Sequence, residues 1–214
     1  MSSSPSEAVP PAARPVTLAR RQSLFARLLH RLRRNEGTSP VAEPPSVLPH
    51  DPELVPVSTD FFRGSFVHGD GRDHGLRVNY FFRRRDGHLF GEIAFRPTAK
   101  GFPGVVHGGA IAAILDDALG GLNGFNGHLA MTANLSIDYH KPLPVAADAV
   151  LECWIERVEG RKIFNYGELR VGDSVHASGR GVFVKCPEQV FGEYLEPLKR
   201  HYRMPVGGTE LQPG

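Results

Sequence analysis

Long apolar runs are missing from this chain of 214 residues. No stretch approaches the roughly 18 consecutive apolar residues that a membrane-crossing helix needs, so no integral membrane segment is expected. Cysteine is scarce. The two present, Cys153 and Cys186, sit in strand-like segments at no metal or redox spacing. They are expected to be buried, reduced thiols of an intracellular protein rather than a disulfide. A dominant charge is also missing. A formal net charge of +2 implies no general attraction to nucleic acid. Ten histidines are scattered without a zinc pattern. His68 and His74 lack a third ligand and are expected to be surface-loop histidines. No metal or redox cofactor is called for.

Acids are nearly absent from the N-terminus, where Glu7 is the only one before Glu36. Residues 1–50 are rich in Ser, Pro, Ala and Arg and are expected to be an extension with disordered ends. Within it, residues 18–34 can form a basic amphipathic helix, with Leu24, Phe25, Leu28, Leu29 and Leu32 as its apolar face. Three readings of it stay open: a helix docked on the domain or a partner chain, a membrane-surface helix, or a mitochondrial transit peptide over residues 1–35. A docked or loosely attached extension is the default, which makes the expected location cytoplasmic and the alternative mitochondrial.

With 41% hydrophobic residues, the rest is long enough for one domain with a sizeable core, over residues 51–187, followed by a short helix and tail over residues 188–214. Its organising stretch is Gly101–Gly121, GFPGVVHGGAIAAILDDALGG. Turn residues open it. Then Ile111, Ile114, Leu115, Ala118 and Leu122 recur at helical spacing as an apolar stripe. Gly120 and Gly121 predict the stop. The opposite face carries Gly109, Ala113, Asp116 and Gly120. Such small residues predict close packing on that side too, beside a carboxylate.

The ends of this helix carry the chemistry. A Gly-rich start presents backbone N–H groups near Gly108 and Gly109 to an oxyanion. Asp116 is a candidate general base or nucleophile, with Asp117 as the fallback. Seven to eight residues at 1.5 Å rise separate donors and acid by about 11 Å. Both must stand about 3 Å from one reacting carbonyl. A single copy cannot do this, and a two-fold dimer can.

Strands flank the helix. Leu76, Val78, Tyr80 and Phe82 alternate with polar residues, Asp86-Gly87 turns, and His88–Arg96 returns. After the helix come Leu135, Ile137 and Tyr139 in alternation, then Ala149–Val158, Lys162–Val171 and Ser174–Lys185. The fold class is α+β, an antiparallel sheet of about six strands wrapped around one long helix.

GVVHGGAIAAILDDALGG resembles the HGG-x6-D segment of the hotdog-fold acyl-CoA thioesterases of the PaaI type. MTANLSIDYHKPLP (131–144), VEGRKIF (158–164) and HASGRGVFVK (176–185) resemble the animal thioesterase-superfamily members of that group. The resemblance covers about residues 76–185. It implies a hotdog fold and hydrolysis of acyl-CoA to free acid and coenzyme A, which is part of the substrate and not a cofactor. It implies that Asp116 is the catalytic acid and Gly108 and Gly109 the backbone donors. His107 orients the loop, touches the thioester carbonyl, or is structural. Thr132 becomes a second catalytic-site residue, or an in-strand Thr chosen for β propensity. Arg161 and Lys162 become the grip on coenzyme A phosphates, or a solvated turn. Asp138 and His140 stand where the related sequences carry Asn and Lys as coenzyme contacts. An Asn-Pro turn of the family is replaced by Asp73-His74-Gly75-Leu76. The implied assembly is a homodimer or a dimer of dimers. Two alternatives remain: a hotdog enoyl-thioester hydratase or dehydratase, and a non-catalytic acyl-CoA-binding or partner-regulating protein.

Overall fold

Helix α1 spans Gly108–Phe125 and packs against a seven-stranded antiparallel sheet. The strands are β1 (Leu54–Val57), β2 (Leu76–Arg83), β3 (His88–Phe95), β4 (Ala130–Tyr139), β5 (Asp148–Glu159), β6 (Lys162–Val171) and β7 (Ser174–Lys185). Their order across the sheet is β1-β2-β3-β5-β6-β7-β4. A short helix α2, Leu195–His201, follows. The computed structural model describes residues 48, 51–69 and 75–203, all within the unit that spans residues 39–214. The amphipathic helix at residues 18–34, its transit-peptide alternative, and Asp73 and His74 lie outside the described residues.

The apolar stripe of α1 is the inner face of the core. Ile114, Leu115, Ala118 and Leu122 are fully buried, and so is Leu119. The sheet makes room for them with glycines. A Cβ on Gly167 would meet Leu119 Cδ2 at 3.4 Å, and one on Gly179 would meet Leu115 and Leu119 methyls at 3.5 Å. The helix side chains therefore rest almost on the strand backbone, and at Gly167 a Cβ would also stand only 2.7 Å from Cys153 Sγ.

A buried amide pair fixes the helix along this track. Asn165 Nδ2 donates to the Leu119 carbonyl at 2.8 Å and to Asn123 Oδ1 at 2.9 Å. Asn123 Nδ2 in turn donates to the Leu119 carbonyl at 3.1 Å. Asn165→Ala would leave these buried acceptors short of a donor. A loss of about 1–3 kcal/mol is expected, measurable as a lower denaturant midpoint with an unchanged slope.

The expected end of α1 needs correction. The helix does not stop at Gly120-Gly121 but runs one turn further to Phe125. Neither glycine has the positive φ of a helix terminus. The stop is made by Asn126, whose N–H returns to the Leu122 and Asn123 carbonyls, and by Gly127 at φ +78°. The expected sheet of about six strands has seven. The extra one, β1, is only four residues long and contains Pro56, which an edge strand tolerates.

β4 is the other edge. It pairs only with β7 among the described residues, and its register slips between Thr132 and Asn134. Thr132 faces Phe183 and Leu135 faces Gly181. Strand alternation would put residues three apart on opposite faces. The bulge at Ala133 absorbs one residue, so Thr132 and Leu135 share the helix side. The cysteines are both free. Cys153 is fully buried, and burial raises its thiol pKa. Cys186 lies just past β7 and is only half-buried, with Sγ donating to the Val184 carbonyl, because the strand has already left the core.

Candidate active site

A cavity of about 330 Å³ lies beside α1, between the helix and the inner ends of β4 and β7. Asp116, Gly120 and Gly124 of the helix line one wall, and Thr132 and Phe183 line the facing wall. Thr132 Oγ1 donates to Asp116 Oδ1 at 3.0 Å. The β4 bulge makes this contact possible, because it turns Thr132 toward the helix. The second oxygen of Asp116 has no partner among the described residues.

The next carboxylate is differently placed. Asp117 Oδ2 receives the Tyr80 hydroxyl at 2.8 Å and stands 3.1 Å from His68 Nε2. His68 is not the surface-loop residue expected. Its side chain is 5% exposed and stacks on Phe62 at 5.8 Å. The segment before β2 folds back over the helix and carries the ring into the cavity wall. Burial and the Asp117 charge raise the Tyr80 pKa well above that of a free phenol. Asp117 is thus held by two neighbours, whereas Asp116 holds one hydroxyl and stays open.

At the start of α1 the expectation for Gly109 changes. His107 is the N-cap, and its Nδ1 accepts the Gly109 N–H at 2.9 Å. That donor is therefore spent within the chain. A Cβ on residue 109 would stand 2.9 Å from Nδ1, so the glycine makes room for the capping ring. The Gly108 N–H keeps no acceptor among the described residues. Its own carbonyl accepts the Tyr139 hydroxyl at 2.9 Å, which ties the helix start to β4.

The coenzyme candidates lie away from the cavity within one chain. Arg161, in the β5–β6 turn, donates from Nη2 to the Lys185 carbonyl at 3.0 Å, and Lys162 beside it is exposed. Asp138 is exposed on β4, 3.8 Å from Arg180. His140 Nε2 stands 2.9 Å from Ser178 Oγ. Among the described residues no group of three His, Cys, Asp or Glu side chains could hold a metal ion. No described helix is long and apolar enough to cross a membrane.

The far end of the cavity is aromatic, and local sequence did not announce it. Phe62, His201 and Tyr202 meet there. His201 stacks on Phe61 at 5.5 Å and meets Phe62 edge-on at 5.1 Å, while Tyr202 meets Phe125 edge-on at 4.9 Å. Burial and the neighbouring His68 lower the His201 pKa, and burial and Asp117 raise that of Tyr202.

Known proteins resemble this chain in sequence and in fold. Residues 103–177 match the thioesterase superfamily. The chain is 40% identical over 88 residues to acyl-coenzyme A thioesterase THEM4 of Rattus norvegicus, a match covering 40% of this chain and 38% of that protein. It is 38% identical over 131 residues to THEM4 of Mus musculus, covering 60% of this chain and 55% of that one. The chain thus matches well under two thirds of the length of these relatives. The crystal structure of RHA08564, a thioesterase superfamily protein, superposes with a TM-score of 0.52 at 26% identity, covering 81% of this chain and 82% of that chain. The strand order and the helix cradled by the sheet are those of a hotdog fold, and residues 103–177 are similar to the thioesterase superfamily.

Proposed function

We propose that this protein hydrolyses acyl-CoA thioesters to a free carboxylic acid and coenzyme A. The observation that carries the reading is the bond from Thr132 to Asp116 at the cavity wall. Thr132 gives its single proton to Oδ1, which leaves its lone pairs to hold a water and Oδ2 to take that water's proton. The water oxygen bonds to the thioester carbon. The carbon–sulfur bond then breaks, and the proton on Asp116 passes to the departing thiolate. The negative charge on the carbonyl oxygen needs N–H donors, and the free Gly108 N–H at the helix start supplies one.

One chain cannot bring both groups to one carbonyl, because Gly108 and Asp116 stand about 12 Å apart along the axis at 1.5 Å per residue. The Gly108 donor therefore comes from a second copy, in a homodimer or a dimer of dimers. The open edge of β4, with Met131 and Tyr139 exposed, is a surface on which a second copy can pair. Arg161 and Lys162 meet the coenzyme phosphates there, since Arg161 spends only part of its guanidinium on Lys185. Asp138 and His140, beside that edge, line the approach.

The test is thiol release from a panel of aliphatic and aromatic acyl-CoAs. Release by the wild type, together with a specific activity that falls on dilution below the dimer dissociation constant, supports both parts. No release from any substrate would reject the hydrolytic reading. Thr132→Val should lower kcat by about tenfold or more, with Thr132→Ser recovering most of it, since the hydroxyl and not the methyl does the orienting.

A further inference from the structure

Asp116, Gly120 and Gly124 recur every fourth residue along one face of α1, and all three line the cavity. Past the carboxylate this face is bare. A Cβ on Gly120 would meet only Phe183 Cε1, at 3.8 Å, and one on Gly121 only Leu89 Cδ2, at 3.9 Å. Nothing in the packing demands glycine there, and glycine inside a helix is less favourable than alanine. Neither residue uses a positive φ. What the missing side chains leave is open room beside the helix backbone.

The strip ends abruptly. At Gly124 the Tyr202 ring lies so close on the helix that any Cβ would collide with it. Phe125 buttresses that ring edge-on, and the preceding His201 is clamped between Phe61 and Phe62. Tyr202 is the C-cap of α2, so that short helix delivers the ring.

We infer that the bare strip is the acyl track, that Gly120 admits the acyl chain, and that Tyr202 is the end wall that sets the longest chain accepted. The identity of the ligand rests on the function proposed above. From Asp116 to Gly124 is about 12 Å at 1.5 Å per residue. An extended chain advances about 1.2 Å per bond. The track therefore takes roughly ten bonds beyond the carbonyl, the length of an octanoyl or decanoyl group, and a hexadecanoyl group overruns it. The cavity of about 330 Å³ is at the small end of ligand pockets, in keeping with that size.

Binding and turnover are measured separately on the full chain. Binding uses non-hydrolysable thioether analogues of acyl-CoA from butanoyl to hexadecanoyl, followed by calorimetry. Turnover uses thiol release from the matching thioesters. In the wild type, affinity should climb to decanoyl and drop at hexadecanoyl. Tyr202→Ala should raise the hexadecanoyl-to-decanoyl affinity ratio at least tenfold, while Tyr202→Phe, which keeps the ring, should not. Gly120→Val should lower the decanoyl-to-butanoyl ratio at least tenfold, the scale set by a lost hydrophobic subsite. It does so without touching the C-terminal segment, which covers the case in which Tyr202→Ala fails to fold. Length profiles of both variants that superpose on the wild type would overturn the inference, as would a wild type that binds no acyl analogue or binds all lengths alike. A shifted binding profile without thiol release would uphold the track and reject only the hydrolytic reading.

Discussion

Asp116→Ala is expected to cut kcat for thiol release by at least a hundredfold, the usual scale for removing acid–base help. The melting temperature should barely move. The carboxylate is only half-buried, and the described structure gives it one partner, Thr132. Losing that bond costs about 1 kcal/mol, and replacing Asp by Ala in a helix interior returns several tenths of that. The adjacent residue separates site from scaffold. Asp117→Ala strips a partly buried anion from both His68 and Tyr80, so its main effect should be on folding and on the shape of the cavity wall. Near-normal turnover in folded Asp116→Ala would remove that carboxylate from the mechanism.

Leu119→Ala is the complementary experiment, three positions along the same helix. Leu119 is fully buried, and its two methyl groups rest on Gly167 and Gly179 of the sheet. Removing them leaves a hole that the strand backbone cannot fill, because neither glycine has a side chain to move. A loss of about 2–5 kcal/mol follows, read as a melting temperature lowered by roughly 5–20 °C. Activity of the folded fraction well below its melting point should stay within a few-fold of wild type. A fall in activity as deep as that of Asp116→Ala at a temperature where the variant is folded would mean that helix position, not only the carboxylate, controls the reaction.

The elements were legible where the pattern is local. The stripe from Ile111 to Leu122 announced α1 and its buried face, and the alternation in β2, together with the turn at Asp86-Gly87, announced the first hairpin, whereas the order across the sheet, with β4 beside β7, was not read. β1 was not legible, since LVPV is too short to show a period and contains a proline. The end of α1 was misplaced because Gly120 and Gly121 carry a stop signal for a different reason, the room they leave beside the backbone. Thr132 was reached through the family resemblance alone. Regular alternation cannot place it on the same side as Leu135, and the bulge that does so leaves no mark in MTANL. The partners of Asp117 lie 37 and 49 residues away, and Tyr202 lies beyond the last strand. Such contacts exist only once the chain has folded.

The sheet order has a bearing on how the protein is made. β4 leaves the ribosome directly after α1, yet its only strand neighbour among the described residues is β7, the last to be synthesised. Throughout translation of β5 and β6, the nascent strand that carries Thr132 has both edges bare. Such a strand is a target for wrong pairing with other growing chains. Chaperone demand should therefore peak in that interval, and slower translation through β5 and β6 should lower the soluble yield.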